Sequence, residues 1–500
     1  MDPGQDEVIK ALQSAAAAGG RGPLARIDTH LSHVFLGASR VYKLKRAVRM
    51  PFVDFSTPDL RKAACESELE VNLRFAPNLY LGVEPVVRRP GGTIALGGPG
   101  EPLDWVVVMR RFADEALFDT MARAGTLRPD LVAEAVEVVA QVHEETPPSP
   151  DSGRPQDYLA IVKGLRRTDA DGAAIHGLAV PSPDLHDALD RAIVKASGLI
   201  ERRRQDGKVR RGHGDLHLRN LCLFEGRATP FDALEFDPAL ATADVLYDLA
   251  FLLMDLHRRD LPLHANTAMN AYWNAAREEE TGLALLPLFM ALRADVRAAV
   301  AMEAGGEAEA RTYRTLGLAL LQPTPARLVA VGGLSGSGKS AAARQLAPLL
   351  PGACGARILR TDVIRKAGGA PVGAGAFRPD RRAAVYRTLA EHVADALAAG
   401  AAVVADATFQ DAPARAAVTG LAPACTALWL RAPVSVRAGR VSGRTGDASE
   451  ATAAVAAAQT EPALESGWTV IDAKGPLADV VARARAVLGL GDPGESPDVA

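Results

Sequence analysis

Apolar and polar positions follow three different rhythms along this chain. Between residues 27 and 48, SHVFLG and RVYKLKR alternate with period two around Gly37, Ala38 and Ser39, which predicts a β-hairpin. A helical period follows over about 58–75, and β-type runs return near 83–88 and in DWVVVM, 104–109. From 113 to about 322 the rhythm is helical, as in LVAEAVEVVAQVH, broken only by short strands over 210–237. The pattern predicts a small β-rich lobe at about 25–112 and a helical lobe at about 113–322, together one α+β domain over 1–322.

The prolines and polar residues at 323–327 predict a linker. Beyond it, LVAVGG (328–333), RILRT (357–361), AVVADAT (402–408), ALWLRAP (427–433) and WTVID (468–472) alternate with Ala-rich helical stretches. Strands spaced in this way by helices predict a parallel five-stranded α/β sheet over 328–490. The last residues, 491–500, read as a disordered tail.

Composition narrows the function. Across 500 residues, 57 basic and 60 acidic side chains leave a net charge of −3 with no long basic run, so nucleic acid and anionic membrane are not the expected partners. Small molecules are. Cys65, Cys222, Cys354 and Cys425 lie far apart with no CxxC pair, which argues against a zinc motif or a disulfide framework and fits a cytoplasmic location. The apolar run LYDLAFLLMDL, 246–256, is too short for a membrane span and carries two aspartates. With ten lysines in the whole chain, a lysine inside a candidate site is informative.

In VGGLSGSGKS, Gly333, Gly338, Lys339 and Ser340 complete G-x-x-x-x-G-K-[ST] after an apolar strand and before a helix. The loop from Gly333 through Ser335, Gly336, Ser337 and Gly338 would turn N–H groups onto phosphate oxygens, Lys339 would offset their charge, and Ser340 would ligate Mg²⁺. Asp362, at the end of the second strand in RTDVIRK, would orient or deprotonate a substrate hydroxyl, or simply cap the next helix; Arg365 and Lys366 would hold an anionic group. Asp406, ending the third strand, would serve the Mg²⁺ shell, hold substrate, or be structural. Arg440 and Arg444 are four apart before a Gly/Ser/Thr-rich segment that could close as a lid, the alternative being two solvated arginines. Residues 328–490 resemble the small-molecule P-loop kinases related to gluconate kinase, polynucleotide kinase and zeta toxins. That resemblance implies a substrate-contacting base at Asp362 and a lid carrying the late arginines.

The N-terminal domain carries different chemistry. In RRGHGDLHLRNLCLF, 210–224, Asp215 is spaced from Asn220 as a catalytic loop requires, the Asp to meet a substrate hydroxyl and the Asn to hold Mg²⁺. His213 would brace the loop from behind. Asp232 and Glu235, in FDALEF after the next hairpin, are both candidates for a second metal ligand, Asp232 by hairpin length and Glu235 by spacing to Asp248. The H-G-D-x-x-x-x-N pattern, with His143 and the run DVLYDLAF, resembles the aminoglycoside phosphotransferase-like kinases over roughly 25–320. That resemblance implies a protein-kinase-like bilobal fold, with Ser32 near the phosphates, Lys43 on the α/β-phosphates, Glu68 as its ion-pair partner and Asp248 supporting the loop. Lys45 shares the strand face of Lys43 and stays the alternative. The order of the two domains is similar to a bacterial family of fused phosphotransferase-like and ATP-binding proteins. The expectation is an ATP- and Mg²⁺-dependent kinase with two modules, each acting on a hydroxyl of a small polar metabolite. The alternatives are an N-terminal module that only regulates the other, or an antibiotic-modifying kinase.

Overall fold

The computed structural model describes residues 3–14, 24–50, 53–177, 184–367, 379–443 and 452–491. Contact density groups the chain into two units, Met1–Arg167 with Ile193–Asp255, and Thr168–Ala192 with Leu256–Ala500. Residues 323–327 lie inside the second unit. Among the described residues no helix is long and apolar enough to cross a membrane.

In the first unit, α1 (Pro3–Gln13) precedes β1 (Ala25–Asp28), β2 (Ser32–Leu36), β3 (Arg40–Lys45) and a short pair, β4 (Arg49–Met50) with β5 (Val53–Asp54). Then come α2 (Pro58–Leu73), β6 (Tyr80–Arg88), β7 (Ile94–Leu96) and β8 (Glu101–Arg110). The antiparallel sheet runs β1-β2-β3-β8-β6-β7. Period two decides what each face does. Phe35, Tyr42, Leu44, Val106 and Val108 pack with Val8, Ile9 and Leu12 of α1, whereas Val107 and Met109 meet Cys65 of α2 on the other face. Lys43 and Lys45 are thereby turned toward α2.

Thr57 caps α2, its hydroxyl accepting from the Leu60 N–H at 3.3 Å, and Pro58 at the first position needs no donor partner. A buried ion pair fastens α2 to β8. Arg61 Nε sits 2.8 Å from Asp104 Oδ1 and its Nη1 donates to the Phe55 carbonyl, while Gln5 of α1 donates to Asp104 Oδ2 at 3.0 Å.

The chain continues through α3 (Phe118–Arg123), α4 (Pro129–Glu145), α5 (Pro155–His176) and α6 (Asp184–Gln205). β9 (Val209–Arg211) pairs with β12 (Thr242–Asp244), bracketing the hairpin β10 (Leu221–Phe224) and β11 (Arg227–Pro230) and the short α7 (Pro238–Ala241). Next is α8 (Val245–Arg258).

The second unit includes α9 (Pro262–Ala276), α10 (Leu286–Glu303) and α11 (Glu307–Leu320), then β13 (Leu328–Gly332), α12 (Lys339–Leu346), β14 (Arg357–Arg360), α13 (Thr361–Ala367), α14 (Pro379–Ala398) and β15 (Val403–Asp406). It ends with α15 (Ala412–Thr419), β16 (Thr426–Arg431), α16 (Val434–Ser442), α17 (Ala453–Ala458), β17 (Trp468–Asp472) and α18 (Leu477–Leu488). The five strands the apolar runs predict form one parallel sheet in the order β14-β15-β13-β16-β17. β13 is central and buried at every position, as a strand covered on both faces must be. The edge strand β14 is closed by side chains of α9 and of the turn after it. Asn270 Oδ1 accepts from the Ile358 N–H at 2.7 Å, Asn266 donates to the Ala356 carbonyl at 2.8 Å, and Arg357 reaches Glu280 of that turn at 3.0 Å.

Replacing Asp104 by Ala would leave Arg61 buried without a counter-charge. Asp104→Ala should lower unfolding free energy in denaturant titrations by about 3–5 kcal/mol, and a loss under about 1 kcal/mol would contradict the role given to this pair.

Candidate functional site

Two separate clusters of the candidate site residues form, one in each unit. In the first, the period-two spacing of β3 delivers both lysines to one carboxylate. Lys43 Nζ lies 2.8 Å from Glu68 Oε1 and Lys45 Nζ 2.5 Å from Glu68 Oε2. Glu68 is fully buried. Burial alone would raise its pKa, but Lys43 and Lys45 outweigh it and hold the carboxyl at about 2. Burial likewise works against a charged Lys43, and the carboxylates of Asp232, Glu68 and Glu235 overcome it, keeping the amine well above its ordinary value.

Asp232 and Glu235, equivalent in the sequence, part company here. Asp232 stands in the left-handed region at φ 59°, its N–H donates to the Tyr80 hydroxyl at 3.1 Å, and its carboxylate meets Lys43 at 2.5 Å. Its side chain is 41% exposed, so solvent and ligands reach it. Glu235 is buried against Lys45. Lys43 and Asp232 therefore face the open side of the cluster, whereas Lys45 and Glu235 close its interior. Ser32 is buried at the start of β2, in register with Lys45, and shares a tight turn with Thr29.

The loop carrying Asp215 is rigid because Asp248 holds it. Asp248, in the first turn of α8, accepts the N–H groups of His213 at 2.8 Å and Gly214 at 2.7 Å, and the His143 imidazole lies 3.0 Å away. A Cβ on Gly212 would come within 2.5 Å of Asp248 Oδ2, and Gly214, at φ 81°, passes against Leu234 and Ala241. His213 is buried, which lowers its pKa and keeps the ring neutral, so Nε2–H donates to the Phe231 carbonyl at 3.0 Å. Leu234 N–H to the His213 carbonyl and Phe231 N–H to the Asn220 carbonyl, both 2.9 Å, lace this loop to the segment bearing Asp232. Asn220 Nδ2 donates to Asp215 Oδ2 at 3.0 Å, and His217 Nε2 lies 3.4 Å from the same oxygen. The structure thus gathers Asp215, Asn220, Asp232, Lys43 and Glu68 through one continuous set of bonds.

In the second unit, the loop after β13 is shaped by three glycines at positive φ: Gly333, Gly336 and Gly338. A Cβ on Gly336 would stand 2.3 Å from the Arg437 carbonyl, and one on Gly333 2.6 Å from Ser337 Oγ. Only glycine fits there. The loop leads into α12, whose first residues are Lys339, buried, and Ser340. Asp406 ends β15 beside the loop strand, in register with Val331. Arg360 ties the two together, donating to Asp406 Oδ2 at 3.1 Å and Ser340 Oγ at 3.2 Å. Asp406 Oδ1 and Ser337 Oγ are buried without a hydrogen-bond partner, the condition expected of groups set to meet a cation and a phosphate. The donor set of Ser340 and Asp406 fits a hard ion such as Mg²⁺.

Asp362 lies in the first turn of α13, with Arg365 3.6 Å from its carboxylate. Arg365 lines a cavity of about 600 Å³ shared with Arg277, Arg357, Arg381, His392 and Glu278. Arg440 donates to three main-chain carbonyls, Ser337 at 3.2 Å, Ala473 at 2.9 Å and Gly475 at 2.9 Å, so it braces α16 against the phosphate loop. Arg444 lies outside the described residues. Sequence reasoning missed Arg360, whose position as the last residue of the second strand was its available signal.

A family model described as an AAA domain matches residues 328–463. The protein Rv2004c of Mycobacterium tuberculosis is 31% identical over 490 residues, covering 91% of this chain and 94% of that protein. Among solved structures, a sugar kinase from Janibacter sp. HTCC2649 is 26% identical, covering 33% of this chain and 96% of that one with a TM-score of 0.28. A choline/ethanolamine kinase family protein from Mesorhizobium loti is 15% identical, covering 64% and 99%, with a TM-score of 0.36.

The depressed Glu68 gives a signed pH effect. A carboxyl at about 2 in the fold and near 4.5 unfolded stabilises fully above the upper value and loses that contribution as pH falls toward the lower. The stability advantage of the wild type over Glu68→Gln, from denaturant unfolding, should therefore narrow by about 2 kcal/mol between about pH 5 and pH 3. An advantage that does not change with pH would contradict the two-lysine cluster.

Proposed function

Since this chain belongs to one family with Rv2004c of Mycobacterium tuberculosis along both of its modules, we propose that it is a two-module kinase. Each module transfers the γ-phosphoryl group of ATP to a hydroxyl of a small polar metabolite. The observation that carries this reading is the 2.5 Å approach of Lys43 to Asp232, beside a catalytic loop that Asp248 holds in place. A lysine that grips α/β-phosphates and a carboxylate that serves the metal have to be neighbours in a kinase, and a structural salt bridge would not need Asp215 and Asn220 laced to it.

In the first module, Lys43 holds the phosphates with Glu68 keeping it oriented, Asn220 and Asp232 supply metal ligands, and Asp215 accepts the hydrogen bond of the acceptor hydroxyl. In the second, the N–H groups from Gly333 to Ser340 cradle the phosphates, Lys339 offsets charge on the transferring group, and Ser340 with Asp406 serves the metal. Asp362 orients the acceptor hydroxyl, and Arg365, with the arginine-lined cavity beside it, favours an acceptor carrying an anionic group. Mg²⁺, when bound by these groups, would supply positive charge against the phosphates in both modules. Arg440 contributes by fixing the loop.

One observation favours a second reading, in which the first module senses nucleotide for the other. Glu235 is committed to Lys45, which leaves Asp232 as the one carboxylate of FDALEF open to a metal.

The test is an ATP-depletion screen of sugars, polyols, nucleosides and aminoglycosides with the full chain, beside Asp215→Asn and Lys339→Ala. Each variant should lose about 10²–10⁴-fold in kcat on one acceptor and leave the other within about twofold. Loss of both activities from either single change would sink the two-site account. Loss of none from Asp215→Asn, with nucleotide still bound, would favour the sensor.

A further inference from the structure

Away from both phosphate sites, the second unit buries a cluster that its kinase chemistry does not use. Asp169 of α5, His186 of α6 and Asp295 of α10 are 2%, 5% and 0% exposed. One ligand atom from each lies within 4.8 Å of the others. Both oxygens of Asp169, both of Asp295 and Nε2 of His186 are buried without a hydrogen-bond partner. Native interiors rarely leave so many acceptors unmet, because each forfeits its hydration for nothing.

The contacts of His186 with the two carboxylates are not hydrogen bonds. His186 Nε2 lies 3.0 Å from Asp295 Oδ2 and 3.6 Å from Asp169 Oδ2, yet neither oxygen stands where a ring N–H could donate to it. Two atoms bound tetrahedrally to one ion at about 2.1 Å would be about 3.4 Å apart, and the two observed separations bracket that value. Charge points the same way. Arg314 of α11, 2.5 Å from Asp169 Oδ2, offsets the charge of one of the two carboxylates.

We propose that Asp169, His186 and Asp295 bind a divalent first-row transition-metal ion, zinc being the probe of choice, which ties α5, α6 and α10 together with Arg314 as the outer partner of Asp169. An imidazole with two carboxylates suits zinc, and the imidazole disfavours Mg²⁺ and Ca²⁺. The competing arrangement is a protonated His186 completing a neutral four-residue network, or a buried water in the same place.

The test uses the full chain, expressed with zinc and desalted in the presence of excess Mg·ATP. Elemental analysis should find about one zinc per chain, and Co²⁺ exchanged for it should give the d–d absorption of a four-coordinate N/O site. His186→Gln should lose the metal and the band together. A wild-type chain that retains no metal and, once apo, takes up no zinc tighter than about micromolar overturns the proposal, whether or not the variant folds. Retention of a full equivalent by folded His186→Gln overturns it as well, since the ion would then sit elsewhere.

Discussion

A carboxyl group as deeply buried as that of Glu68 would surrender its charge to a proton unless cations stood against both of its oxygens. Lys43 and Lys45 do so, and the first module is arranged around that requirement. It fixes the side of the sheet on which α2 packs, since two lysines two residues apart must share a face. It also fixes the division of labour downstream. Lys45 draws Glu235 inward and Lys43 leaves Asp232 at the surface, so one carboxylate completes the core and the other remains open to a ligand.

The second unit reaches a phosphate-ready arrangement by backbone rather than by side-chain pairing. Positive φ at Gly333, Gly336 and Gly338, with carbonyls and Ser337 standing where side chains would go, turns the chain so that N–H groups face inward at the start of α12. Asp406, on the strand beside β13, and Ser340, in the first turn of α12, are then joined through Arg360. The two modules thus meet the same electrostatic demand differently. One preorganises a lysine by burying its partner, and the other preorganises amides by excluding Cβ atoms.

Local pattern carried much of this in the sequence. The hairpin at 32–45, the helix at 58–73 and the five parallel strands follow from periodicity, because each has one face or two committed to a core. The loops of Gly-Lys-Ser and His-Gly-Asp stand out in the sequence because each pattern is spelled by neighbours in the chain. What depends on distant partners was not. Asp232 and Glu235 could not be told apart until Lys45 was seen to claim Glu235, and Arg440 gave no sign that three carbonyls would occupy it. Helix α1 escaped notice for a similar reason, as Val8, Ile9 and Leu12 acquire meaning only against a sheet whose strands come later. The grouping of α9–α11 with the parallel sheet rests on Asn266, Asn270 and Glu280, single polar residues without a motif.

The central claim is that one chain holds two independent nucleotide sites. Equilibrium binding of a non-hydrolysable ATP analogue with Mg²⁺ to the full-length chain tests it most directly, because it needs no knowledge of either acceptor. The account predicts two nucleotides per chain, falling to one in Lys339→Ala with the remaining affinity unchanged. Saturation of the wild type at a single nucleotide, abolished by Lys339→Ala, would contradict it.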